Sequence, residues 1–174
     1  MVAIRAEISS DIGKREALLN AAFGVQRFRK TSEKLRRGRV TADGLAFAAV
    51  DESGQLVGTV RLWDISAGSA GPALLLGPLA VAQTARGQGV GAKLMQHALA
   101  AAKALGHTAV LLVGDAPYYA RFGFAEELTC SLHLPGPVER ARFLGLELVQ
   151  DALDGAEGLI AASGSLAQVA KKVA

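Results

Sequence analysis

The run Arg86-Gly87-Gln88-Gly89-Val90-Gly91 spaces its glycines G-x-G-x-G, directly ahead of a segment with helical periodicity. Glycine lets a backbone approach a ligand closely and turn several N–H groups into one concavity. The first amides of a helix have no intrahelical acceptor, and the helix dipole adds partial positive charge there. Together these suit a diphosphate over the amides of Gly87 to Ala92, with Arg86 at the lip and Lys93 one turn on to add charge-assisted contacts. Two common phosphate sites are excluded. A P-loop needs Lys-Ser/Thr after its last glycine, and that pair is missing. A dinucleotide fold needs G-x-G-x-x-G and an acid about twenty residues later, but no acid follows in Gly106 to Leu112 and the first is Asp115. From these residues alone, a turn needed only for tight packing of helix on strand is the competing reading.

Other chemistry-bearing residues give weaker signals. Cys130 is the one cysteine, so it has no partner for a disulfide or a thiolate metal site, and it reads as a packed small hydrophobe. His97, His107 and His133 are isolated and read as structural, and no metal is expected. Arg27, Arg29, Lys30, Lys34, Arg36, Arg37 and Arg39 cluster around one acid, Glu33. Such a cluster could draw nucleic acid, an acidic substrate or a cofactor phosphate. Only Phe28 interleaves it, which argues against base stacking, and a solvated helix face and loop is the expectation. The net charge of +3 is too modest to add to the nucleic-acid case. Ala73 to Ala82 is the longest strongly apolar run, but Gly77-Pro78 breaks it and it is too short to span a bilayer. With no basic flank and apolar core at the start, a cytoplasmic protein is expected.

Several elements must position the glycine turn. Val2 to Ile8 alternates as a half-buried strand, and Ser9-Ser10-Asp11 offers caps for a helix ending at Gly24 with Ile12, Leu18, Leu19 and Ala22 on one face. A shorter helix is predicted over Thr31 to Arg37. Leu45 to Val50 and Leu56 to Asp64 read as a hairpin around Asp51-Glu52-Ser53-Gly54, followed by a flexible connection from Ala67 to Pro72. The apolar run Ala73 to Val81 implies a strand buried on both faces. Gly89 to Leu105 reads as a long helix with Val90, Leu94, Ala98, Ala101 and Leu105 inward, and Ala109 to Val113 as a second buried strand. A short helix begins near Pro117. Leu128 to Leu134 and Phe143 to Val149 are strand candidates, and Ser165 to Val173 a helix candidate. The order predicts one domain over 1–174, with a core of about 1–125 and C-terminal strands and tail of about 126–174. Its class is α/β with an α+β mixed, mostly antiparallel sheet, a βαβ crossover and flanking helices.

Leu79-Ala80-Val81, four residues, then Arg86 to Gly91 resembles the Q/R-x-x-G-x-G/A signature of the GNAT superfamily of N-acetyltransferases. Tyr119-Ala120-Arg121-Phe122-Gly123-Phe124 resembles its Tyr-x-x-x-Gly-Phe segment. Leu76-Gly77-Pro78-Leu79, Gly114 to Tyr119 and Leu134-Pro135-Gly136-Pro137 are similar to the YhbS-like branch. The resemblance is clearest from Ala73 to Phe124. It implies the GNAT fold, with acetyl-CoA as co-substrate in a splay between two central strands and a primary amine of a small molecule or peptide as acceptor. A non-catalytic CoA-binding sensor or interaction module is the alternative. It also implies that the backbone of Leu79, Ala80 and Val81 pairs with the pantetheine arm, Gly77-Pro78 forming a bulge that parts the strands. Arg86, Gly87, Gln88, Gly89, Val90, Gly91 and Ala92 would then hold the pyrophosphate, and Tyr119, or Tyr118 beside it, would protonate the departing thiolate. Many relatives carry an Asn ahead of the tyrosine. Here Asp115 stands in that loop, either touching the CoA arm or capping the Pro117 helix. Asp64, Glu126 and Glu147 are base candidates by strand position, and Arg61 with Trp63 either lines the acceptor cleft or caps the sheet. Dimers are common among relatives, which leaves a homodimer open.

Overall fold

The computed structural model describes residues 1–168. Eight strands form one sheet: β1 Ala3–Ala6, β2 Ala46–Val50, β3 Leu56–Ala67, β4 Pro72–Val81, β5 Ala109–Val113, β6 Ser131–His133, β7 Phe143–Glu147 and β8 Glu157–Ala162. The main path runs β1-β2-β3-β4-β5-β7. β4 and β5 pair in parallel across the crossover helix, while the other neighbours on this path are antiparallel. β8 takes the edge of β3 that β2 leaves, at Ile65 to Ala67, and β6 pairs in parallel with β8.

Four helices cover the sheet: α1 Ile12–Phe23, α2 Glu33–Arg36, α3 Val90–Ala104 and α4 Ala116–Ala120. α3 packs on β2, β3 and β4, burying Val90, Leu94, Met95, Ala98 and Ala102. Val90, Leu94 and Ala98 are inward as predicted, while Met95 and Ala102 take the places expected of Ala101 and Leu105, and Leu105 is exposed. α1 and α2 lie on the opposite face, α1 over β3 and β4 and α2 over β3 and β8. There the core is Trp63, Ile65, Leu75, Leu111, Phe143 and Leu132, with Leu35 from α2. The inward face of α1 differs from expectation: Leu19 and Arg15 are buried, while Ile12 is exposed. An arginine replaces the apolar stripe because ionic partners wait for it beneath the helix, as the site shows.

Three other predicted segments differ. Ala67 to Pro72 is a tight turn in which the Ala67 N–H donates to the Gly71 carbonyl at 2.8 Å. Residues Glu126–Thr129 form a 3-10 turn ahead of β6. Within the predicted tail helix, Leu166 bridges to Arg39 and the Ala167 N–H donates to the Gly38 carbonyl at 2.9 Å, so this part is extended. Residues 169–173 lie outside the described residues.

The close seat of α3 depends on Gly58 of β3. A Cβ there would lie 2.8 Å from Leu94 Cδ1 and 3.1 Å from Val90 Cγ1 and Ala49 Cβ. Gly58→Ala is expected to destabilise the fold by about 1–3 kcal/mol through overpacking. Urea denaturation checks this, and an unchanged midpoint would disprove the tight contact.

Candidate active site

β4 is bent where the site begins. Between Val60 and Leu62 of β3 the register on β4 moves from Leu79 to Leu76, one residue more than on its partner. That extra residue is the bulge predicted at Gly77-Pro78. Gly77 has φ 130, which a side chain rarely adopts, and Pro78 has no N–H to offer a ladder. Trp63 Nε1 donates to the Gly77 carbonyl at 2.7 Å in a buried hydrogen bond that satisfies the bulged backbone.

Beyond the bulge β4 stays with β3, through Leu79↔Val60, Ala80↔Thr59 and Val81↔Gly58. It leaves β5, whose ladder with β4 holds only Leu74↔Val110 and Leu75↔Leu111. The two central strands therefore part. Along Leu79 to Val81 one strand edge is paired, and on the other alternate N–H and C=O groups face the gap. A cavity of about 710 Å³ fills that gap. Gly77, Pro78 and Leu79 line it from β4, and Val113, Asp115 and Tyr119 from β5 and α4. Arg29, Lys30, Thr31, Ser32 and Arg36 close it on the α1–α2 side, with Glu139 and Arg142 from the C-terminal part. Ala80 is buried and does not line the cavity, so only its backbone is available there.

A second cavity of about 340 Å³ lies beside the first at the start of α3. Arg86, Gly87, Gly89, Val90, Gly91 and Ala92 line it, and Tyr118 lines both cavities. Gly89 caps α3 in the left-handed conformation, φ 73 and ψ 16, and a Cβ built on it meets no protein atom within 4 Å. Gly91 is needed for a different reason, since its Cβ would lie 2.7 Å from Tyr118 Oη. Gln88 is not part of the lining. Its Nε2 donates to the Thr84 carbonyl at 3.4 Å, so what remains to it is its main chain. Arg121 lines the same cavity and stacks over Tyr118 at 4.2 Å. Sequence reasoning passed over it, although it sits within the Tyr119 to Phe124 motif.

The two tyrosines separate. Tyr118 points its hydroxyl at Gly91. Tyr119 packs its ring against Gly114, where a Cβ would lie 2.4 Å from Cε2, and edge-on to Phe124. Burial, with a smaller contribution from the neighbouring Tyr118 phenol, pushes Tyr119 up to about 12. Asp115 accepts the Tyr118 N–H at 3.2 Å, so it caps α4 while its residue borders the cavity.

None of the three predicted base candidates lines either cavity. Glu147 Oε2 accepts the Leu153 N–H at 2.9 Å and is occupied structurally. Asp64 lies on β3 where its carbonyl receives Ser163 and Gly164, and Glu126 opens the 3-10 turn before β6. Glu139 is the acid, besides Asp115, that borders the main cavity. Cys130, read as packed, is exposed, with its thiol on the Glu127 carbonyl at 3.0 Å.

The basic cluster is the solvated face expected only in part: Arg29, Lys30, Lys34 and Arg37 are exposed. Arg27 and Arg36 are buried, with Arg27 paired to Glu16, and Arg36 to Glu33 at 3.2 Å. Arg15 pairs with Glu7 and with Glu16 at 2.9 Å. Others meet main-chain acceptors: Lys34 the Pro135 carbonyl at 3.1 Å, Arg37 that of Phe28 at 2.9 Å and Arg39 that of Gly164 at 2.8 Å. Arg61 and Trp63 line a third cavity of about 380 Å³ under α2. No group of His, Cys, Asp and Glu among the described residues is arranged to hold a metal ion, and no helix among them is long and apolar enough to cross a membrane.

Known proteins share this architecture. A model of the acetyltransferase (GNAT) domain family matches residues 42–126. The uncharacterized N-acetyltransferase YhbS of Escherichia coli strain K12 is 32% identical over 158 residues, covering 90% of this chain and 93% of that protein. The crystal structure of YhbS from Escherichia coli in complex with CoA superposes with a TM-score of 0.78 at 30% identity, over 93% of this chain and 89% of that one. A GNAT family acetyltransferase from Brucella melitensis, solved with acetyl-CoA, gives a TM-score of 0.60 at 26% identity, over 98% and 97% of the two chains. A mixed eight-stranded sheet parted at its central bulge, with a glycine turn at the end of the gap, is thus found in a chain that belongs to the GNAT family of N-acetyltransferases.

Proposed function

We propose that this chain, as one domain over residues 1–174, transfers the acetyl group of acetyl-CoA to a primary amine of a small molecule or peptide in the cytoplasm. The observation that carries the reading is the adjacency of two cavities at Tyr118: an open strand edge at Leu79 to Val81 and, beyond it, the amides and glycines at the start of α3. The fit is chemical. An extended amide-bearing arm can pair with the free edge as a strand would, and a diphosphate meets the α3 N-terminus, Arg86 and Arg121. Empty space over Gly89 matches a ligand that approaches the main chain there.

In this reading the thioester supplies an activated acyl group, and its carbonyl carbon lies beside the bulge. The neutral amine nitrogen attacks that carbon. A C–N bond forms, the C–S bond breaks, and the sulfur takes the Tyr119 hydroxyl proton while the amine gives up its own proton to solvent, which returns one to Tyr119. The cations around the main cavity, Arg29, Lys30, Arg36 and Arg142, bias a bound ammonium toward its neutral form. This supports deprotonation through water rather than through a dedicated carboxylate.

A panel of amines assayed for thiol release from acetyl-CoA tests the proposal, alongside calorimetric titration of acetyl-CoA. Tight binding together with amine-dependent release is the expected result. Binding with no release from any amine would instead leave a CoA-binding module.

A further inference from the structure

The third cavity holds a charge that the reaction above does not use. Arg15, Arg27, Arg36 and Arg61 face one another beneath α1 and α2, and three carboxylates, Glu7, Glu16 and Glu33, face them. The pairs formed are Arg15 with Glu7 and Glu16, Arg27 with Glu16, and Arg36 with Glu33. Arg61 takes none of them. Its Nε is buried and has no hydrogen-bond partner among the described residues, and its guanidinium rests over the Trp63 ring at 4.9 Å. Burial first, then the nearby Arg15, pushes Arg61 down to about 10, with Glu7 and Glu16 opposing. Arg61 as a residue is half-buried, so its terminal nitrogens remain within reach of a ligand, and a guanidinium with no bonded carboxylate or carbonyl favours a further anion.

The cavity beside it is suited to that anion. Arg27, Arg36, Arg37 and Arg61 line it, and its two acids, Glu16 and Glu33, are already engaged. It meets the main cavity at Arg36 and Pro78, which line both. A Cβ on Gly77 would lie 3.6 Å from Arg36 Nη1, so this guanidinium stands at the bulge itself. An anion held here is therefore next to the point where the strands part.

We infer that the acceptor is an amine carrying an anionic group, a carboxylate or phosphate, which Arg61 binds with Arg36 while the amine enters the main cavity. The inference rests on the acetyltransferase reading but does not need turnover to be tested. The arginines attract the acid end, while Asp115 and Glu139 border the main cavity that the nitrogen enters. The planar fork of a guanidinium favours two-oxygen recognition of either group.

Matched amines separate the outcomes: glutamate against glutamine α-amide for a carboxylate, and phosphoethanolamine against ethanolamine for a phosphate. Each is titrated calorimetrically into protein saturated with CoA, which carries no acetyl group to transfer. At least one anionic amine is expected to bind about 30-fold or more tightly than its neutral partner. The arm that shows this identifies the anion. Arg61→Gln is expected to erase that preference while leaving CoA affinity within about threefold, and Arg61→Lys to restore part of it. Because Arg61→Gln removes an uncompensated charge, its Tm should be unchanged or higher, whereas a merely structural arginine would lower it. Equal binding of charged and neutral partners in both arms, or a preference that survives Arg61→Gln, overturns the inference. Thiol release with acetyl-CoA, run on the same amines, tests the acetyltransferase reading separately.

Discussion

Gly89→Trp is expected to weaken acetyl-CoA binding by at least about 100-fold, which corresponds to roughly 2.7 kcal/mol. Two effects act together. The residue holds φ 73, a left-handed conformation that strains a side-chain-bearing residue by about 1–2 kcal/mol. Its Cβ also points into space free of protein atoms, the space proposed for the pyrophosphate. An indole there would block the N–H groups at the start of α3 without striking the fold. Gly89→Asn is the control. Asparagine tolerates the left-handed conformation, so it should keep the turn and lose less than about tenfold in affinity. Calorimetric titration of both variants, with Tm recorded for each, decides the matter. Unchanged affinity in a folded Gly89→Trp protein would falsify the pyrophosphate assignment.

Tyr119→Phe is expected to lower kcat by about 100-fold, within the usual range for loss of a general acid, and to change acetyl-CoA affinity by less than about threefold. Its hydroxyl is proposed to act only when negative charge develops on the sulfur. Tyr118→Phe should do the reverse, since Tyr118 Oη stands at Gly91 beside the helix N-terminus: weaker cofactor binding with kcat largely kept. If kcat falls in Tyr118→Phe and not in Tyr119→Phe, the two assignments exchange. The pH profile adds a second check. Burial raises Tyr119 to about 12, so the phenol keeps its proton as pH rises past 10, where an ordinary tyrosine would lose it. Turnover should climb as the acceptor ammonium deprotonates and then stay level to pH 10. A decline near pH 10 that disappears in Tyr119→Phe would exclude the buried, protonated donor.

The elements closest to this chemistry were the most legible in the chain. Alternating or continuous apolar runs located β2 to β5, and the glycines after β4 marked the start of α3. These signals are local: a strand buried on both faces must be apolar throughout, and a proline in a central strand can only stand at an interruption. The bulge could be inferred from Gly77-Pro78 for that reason, and the register agrees. β8 carried no such signal. Glu157 to Ala162 buries Ile160 fully and leaves Glu157, Gly158 and Leu159 exposed, so its identity as a strand comes from pairing with β3 and β6 rather than from its pattern.

The arginines were the opposite case. A sequence shows Arg15, Arg27 and Arg36 as charged residues on helical or loop segments, for which solvent exposure is the ordinary expectation. Glu33 with Arg36 is an i,i+3 pair of the kind a helix encodes, but the burial of Arg15 and Arg27 depends on Glu7 just after β1 and Glu16 of α1, contacts that no spacing rule gives. Arg61 is defined even more indirectly: its Nε finds no partner among the described residues, although Glu7 Oε2 is also buried without one.

By itself, then, the sequence determined the glycine turn, the order of the central elements and a tyrosine pair at the right distance along the chain, because each is written in local residue types and periods. Only the tertiary structure decided that β4 leaves β5 after Leu75, that Tyr118 faces Gly91 while Tyr119 packs against Gly114, and that Arg61 lines a cavity joined to the gap. Those outcomes depend on which distant side chains compete for the same space and the same charge. That competition exists only once the sheet has closed over its helices.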